Sequence, residues 1–176
     1  MTTRDRVYTA ATKVLARVLL PLAHLHAPGH ARYVACQWAL GFRFPREDLD
    51  GLHPAAFRAF TAARTDAFWA HGLPIGLTSG HRDAAEQHRL YVEDLRSQGP
   101  PRVLHPSESP HVRGTAVDVR PLEGARWLEE HGWRHGLYRT YDNEWWHFEY
   151  RTHRPARLPY PGADRAARRN PLSDAP

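Results

Sequence analysis

The sequence predicts an α+β domain: a small, mostly antiparallel sheet flanked by helices, in a single domain. Two well-capped helical stretches, at 54–71 and 84–97, carry part of that expectation. The rest comes from short strand-like runs at 74–78, 115–119, 136–141 and 146–151, the last two reading as antiparallel neighbours.

The chain opens on a helix over residues 1–25, ending near Pro21. Val7, Ala11, Val14, Leu15, Val18 and Leu22 recur at helical spacing, while Arg4, Lys13 and Arg17 fall elsewhere. Such a helix can pack on the domain or lie on a membrane surface, and packing is the expectation. Val14 to Leu25 resembles a weak signal-peptide core, but Arg17 interrupts it and no clean cleavage site follows. Residues 26–52 show no periodicity that assigns them. With the first helix they make an N-terminal segment, 1–49, ahead of a core at 50–152.

The core starts clearly. Pro54 is pre-organised for a first helical position, and Phe57, Phe60, Ala63, Ala67 and Phe68 follow at helical spacing until Gly72 caps the end. Pro74 to Thr78 reads as a buried strand broken by Ser79-Gly80. Asp83 with Glu86 forms a capping box, starting a helix that runs to about Ser97. Pro100, Pro101, Pro106 and Pro110 keep residues 100–110 an extended loop. A strand at 115–119, a short helix at 123–131 and the two final strands complete the core. From residue 153, five prolines and a run of arginines read as an extended tail, 153–176.

Charge and cysteine content narrow the function. The chain has 176 residues and a net charge of +5. Residues 1–150 hold 18 Lys/Arg against 17 Asp/Glu, so the basicity sits mostly in the tail. No specific nucleic-acid footprint follows from that distribution. The tail itself is suited to peripheral contact with an anionic cell wall or membrane. A single cysteine, Cys36, excludes both an internal disulfide and a thiolate zinc cluster. Any metal must be held by histidine and carboxylate.

Two stretches offer such ligands. Ser109 to Asp118 supplies His111 and Asp118, seven apart with Gly114 between them, and Glu144 to His147 supplies a Glu and a His three apart. Two His and one carboxylate are a typical protein ligand set for catalytic zinc, and the remaining Glu is then free to act as a general base. Residues seven apart on an uninterrupted strand point to opposite faces, so Gly114 is needed to turn the backbone between a loop His111 and a strand Asp118. Glu144 belongs on the loop entering the strand that carries His147. Ala116 keeps the facing surface small.

The pattern Ser109-x-His111-x-x-Gly114-x-Ala116-x-Asp118 followed by Glu144-x-x-His147 resembles the zinc D-alanyl-D-alanine peptidases. That family includes vancomycin-resistance D,D-carboxypeptidases and D,D-dipeptidases, together with L-alanyl-D-glutamate endolysins. Leu77 to Arg82, with Gln87 and Leu90-Tyr91, is similar to the family's Ser-Gly-Tyr-Arg segment. The resemblance implies zinc bound by His111, Asp118 and His147, with Glu144 as catalytic base and then acid. It implies that Arg82 stabilises the oxyanion and that Ser109 helps hold the substrate's terminal carboxylate. His81 stands where the family usually has an aromatic hydroxyl, a departure that bears on substrate positioning. The implied activity is a D,D-carboxypeptidase releasing the terminal D-Ala of peptidoglycan stem peptides. A dipeptidase or L-Ala-D-Glu endopeptidase on the same site is the alternative, ahead of a zinc-bearing binding domain without turnover. Peptidoglycan substrates favour an extracytoplasmic or cell-wall location, and the weak N-terminal signal, which does not establish export, leaves a cytoplasmic one open.

Overall fold

A computed structural model describes residues 3–97 and 102–164. Five helices and a four-stranded sheet follow in the order α1 (Thr3–His26), α2 (Ala31–Arg43), α3 (Pro54–His71), β1 (Gly76–Ser79), α4 (Ala84–Leu95), β2 (Ala116–Arg120), α5 (Leu122–His131), β3 (Leu137–Arg139) and β4 (His147–Tyr150). All strand pairs are antiparallel, in the spatial order β1-β2-β4-β3. The α+β expectation holds.

The caps explain where helices begin and end. The His53 side chain accepts the amide of Ala55 ahead of Pro54, and Gly72 closes α3 in the left-handed region at φ 64°. Asp83 accepts the amide of Ala85 at the start of α4. Alternation then divides the sheet into two faces. Val117 and Val119 of β2 and Phe148 of β4 face a core shared with Phe60 and Ala63 of α3, Ile75, Leu77 and Leu128 of α5. Asp118, His147 and Glu149 are left on the opposite face.

Three N- and C-terminal expectations change. Residues 26–52 contain a regular helix, α2, whose Cys36, Ala39 and Leu40 pack with Ala16 and Phe68. Helix α1 runs through Pro21 to His26, and its buried face is Thr9, Thr12, Ala16 and Ala23. The Val7–Val14–Val18–Leu22 stripe, expected to pack on the domain, points outward instead. Small residues let α1 lie close against α2, so the apolar stripe is not what holds it there.

The third change concerns the tail. Residues 153–164 are tied to the body: the Leu158 amide donates to Thr140 O at 2.9 Å and the Asp142 amide to Leu158 O at 2.8 Å. Arg157 adds ion pairs to Glu129 and Asp142. Residues 165–176 lie outside the described residues.

Gly114 has φ +66°, and a Cβ there would meet Gly51 O at 2.4 Å and His53 N at 2.7 Å. The turn therefore needs glycine twice, for backbone conformation and for the close approach that lets His53 N donate to Gly114 O at 2.9 Å. Gly114→Ala should cost at least about 2 kcal/mol of stability by thermal or urea unfolding. A melting temperature equal to wild type would show that the turn relaxes freely.

Candidate metal centre

Asp118 and His147 are direct cross-strand partners on β2 and β4, which brings them side by side on the outer sheet face. His111 arrives from the turn before β2. Among the described residues, His111, Asp118 and His147 form a group able to hold a metal ion. His147 Nδ1 lies 3.0 Å from Asp118 Oδ1, His111 Nε2 lies 3.3 Å from the same oxygen, and the two ring nitrogens are 3.2 Å apart. Tetrahedral zinc with bonds of about 2.0–2.2 Å spaces its donors about 3.3–3.6 Å apart. The three atoms are at nearly that spacing already.

The second nitrogen of each ring has its own partner. His111 Nδ1 donates to Gly80 O at 2.6 Å, and His147 Nε2 faces Glu149 Oε1 at 3.4 Å. With those nitrogens carrying the protons, His111 Nε2 and His147 Nδ1 both present lone pairs toward the Asp118 carboxylate. Three acceptors facing one another require a cation. The donor set fits zinc, by ligand type and by number, with room left for a non-protein ligand.

Glu149 is a residue the sequence reading missed. It is 1% exposed, so its charge must be compensated. Thr140 Oγ1 donates to Oε1 at 2.9 Å, and Arg151 Nε to Oε2 at 2.9 Å. Burial pushes the Glu149 carboxyl up, but His147 and Arg151 outweigh that and hold it well below the usual range. The spacing His147-x-Glu149-x-Arg151 places all three on one strand face, which is the signal that could have found it. Ala116 stands opposite Glu149 in the register, so its small side chain leaves room for this buried carboxylate.

Asp118 behaves similarly: burial raises its carboxyl, and hydrogen bonds from His111 and His147 bring it far below the ordinary value. For His147, burial works against the charged form, yet Asp118 and Glu149 prevail and raise it to about 9. Without metal, a proton on His147 takes the place a cation would fill.

The remaining expected residues divide. Glu144 lies on the loop before β4, with Oε2 3.9 Å from His147 Nδ1. Burial first, then the charge of Asp118, raises its carboxyl, against the lowering pull of His147, His111 and Arg82. Arg82 is anchored by Gln87 Oε1 at 2.8 Å and Ser79 Oγ at 3.4 Å. Its own amide donates to His111 O at 3.2 Å, so the segment that presents Arg82 also fixes His111. Arg82, Ser109 and Glu144 line one cleft of about 270 Å³ with the three candidate ligands. His81 does not join them. It is exposed, with its ring over Gly51, and it is not among the cleft-lining residues.

Two further lining residues add to the site. Tyr141 sits over the His147 ring at 5.1 Å, its hydroxyl kept protonated by burial and by Glu149 and Glu144. Pro161, from the segment read as tail, closes one side.

No family model matches the chain, and no curated protein does. Several solved structures are similar to it. A mutant of the vancomycin-resistance D,D-pentapeptidase VanY from a VanB-type cassette, in complex with Zn(II), shares 25% identity over 59% of this chain and 76% of its own, at a TM-score of 0.49. An L,D-carboxypeptidase, DacB, from Streptococcus pneumoniae shares 23% over 69% and 73%, at 0.45. The L-Ala D-Glu endopeptidase ChiX of Serratia marcescens shares 22% over 58% and 83%, at 0.41. These overlaps are partial, and the chemistry of the site rests on its own side chains.

Because zinc requires neutral His147, uptake at pH 7 must displace the proton held there. Zinc affinity should rise about tenfold per pH unit from neutrality and flatten near pH 9, with about one proton released per metal. Titration calorimetry in buffers of different ionisation enthalpy measures that release. Glu149→Gln should weaken zinc binding about 10–100-fold, since the carboxylate orients His147.

Proposed function

We propose that the chain is a zinc-dependent peptidase that removes the terminal D-Ala from peptidoglycan stem peptides. One observation supports this most: Glu144 and Arg82 enter the same cleft as the His111–Asp118–His147 group, from different elements. A metal site serving structure alone has no use for a free carboxylate and a braced guanidinium beside it. The resemblance of the Ser109–Asp118 and Glu144–His147 motifs to zinc D-alanyl-D-alanine peptidases points to the same substrate class.

Zinc, when bound, supplies Lewis acidity and makes water a usable nucleophile near neutral pH. The chain's residues do the rest. Glu144 accepts a proton from the attacking water as its oxygen adds to the peptide carbonyl carbon. The same carboxyl then returns that proton to the departing amine as the C–N bond breaks. Its raised proton affinity suits both steps. Arg82, held in place by Gln87, stabilises the carbonyl oxygen as it gains negative charge. Ser109 lines the cleft where a terminal carboxylate is held.

Dipeptidase and endopeptidase activities use the same chemistry, and they separate by product. The substrate implies action on the outer side of the cytoplasmic membrane.

Zinc-loaded protein should release D-Ala from a pentapeptide ending in D-Ala-D-Ala, and a chelator should stop it. Glu144→Gln should lower kcat by about 10²–10⁴-fold while zinc content stays near one per chain. Mass spectrometry of products from the pentapeptide, D-Ala-D-Ala itself and a stem tetrapeptide identifies the bond. Undiminished turnover in Glu144→Gln would overturn the mechanism, and cleavage only between L-Ala and D-Glu would overturn the carboxypeptidase assignment.

A further inference from the structure

Helix α1 has a second apolar face that nothing among the described residues covers. Val7, Val14, Val18, Leu22 and Leu25 are between 55% and 80% exposed. At 100° per residue they lie on the side of the helix opposite Thr9, Thr12, Ala16 and Ala23, which pack inward. The stripe extends about 27 Å along the axis. It is too regular and too long to be scattered surface apolar residues.

The charge around it selects an occupant. Arg4, Arg6 and Arg17 are exposed beside the stripe, and no exposed residue of α1 carries a carboxylate. The helix's one acid, Asp5, is half-buried and turned toward Arg43, 4.0 Å away. We propose that α1 lies in the interface of an anionic lipid membrane, valine and leucine side chains inserted below the headgroups and the arginines among them. No described helix is long and apolar enough to cross a membrane. Arg6 and Arg17 suit a helix that rests in the surface plane. A second copy would bring two arginine-flanked stripes together, like charge against like. Residues 165–176, with Arg165, Arg168 and Arg169 against Asp174, are mismatched in the same way.

The inference is independent of the peptidase reading, because α1 contributes nothing to the cleft. The test is sedimentation of the full chain with vesicles of phosphatidylcholine alone and of phosphatidylcholine mixed with phosphatidylglycerol. Wild type should bind the anionic vesicles, and Val14→Glu/Val18→Glu should bind at least tenfold more weakly with an unchanged melting temperature and zinc content. Arg6→Ser/Arg17→Ser, or high salt, should weaken binding several-fold. Absence of vesicle binding by wild type overturns the proposal. So does binding that the double glutamate variant retains, or a concentration-dependent dimer that forms in place of vesicle binding and that Val18→Glu dissolves.

Discussion

Three potential metal-ligand atoms converging on one point govern this structure. His111 Nε2, His147 Nδ1 and Asp118 Oδ1 meet at 3.0 to 3.3 Å in a largely buried position. That arrangement needs a positive charge within it, the His147 proton or a metal ion, since acceptors facing one another repel and each has lost water. The fold maintains it by engaging the back of each ligand. Gly80 O takes the far nitrogen of His111, and Glu149 faces the far nitrogen of His147. Glu149 in turn is satisfied by Thr140 and Arg151. Much of the sheet's outer face is therefore arranged to keep two imidazoles in one tautomer.

The same contacts link metal binding to catalytic geometry. The segment Ser79 to Arg82 touches His111 twice, through Gly80 O and the Arg82 amide, and also presents the Arg82 guanidinium. Cross-strand pairing of Asp118 with His147 sets the distance from β2 to β4, and Glu144 enters just before β4. A shift of either strand would move ligand and base together. Gly114 completes the arrangement by letting the turn press against residues 51–53, joining the start of α3 to the turn that carries His111.

Local chemistry was readable from the sequence, and long-range placement was not. The signals at Pro54, Gly72 and Asp83 act within a few residues, so α3 and α4 could be bounded directly. The metal group was readable because ligand chemistry limits which residues can serve, and because the seven-residue spacing needs a glycine. Helix α2 escaped because neither of its ends is marked: His30 makes no side-chain cap bond and Phe44, not glycine, closes it. Periodicity revealed the α1 stripe but not its direction, since small residues opposite it made the closer packing surface. The Pro- and Arg-rich composition after residue 153 hid the pairing of Leu158 with Thr140 and Asp142, which depends on backbone groups rather than side chains. His81 was placed by its position in a motif, and its ring instead covers Gly51.

Two histidines of fixed tautomer and one aspartate should hold a single zinc ion in an open site. X-ray absorption spectroscopy of the zinc-loaded protein addresses this most directly. One zinc per chain is expected, with two imidazoles and oxygen donors at about 2.0–2.2 Å, and one imidazole lost in His147→Ala. A zinc shell with sulfur from Cys36, or one unchanged in His147→Ala, would show that the ion is held elsewhere.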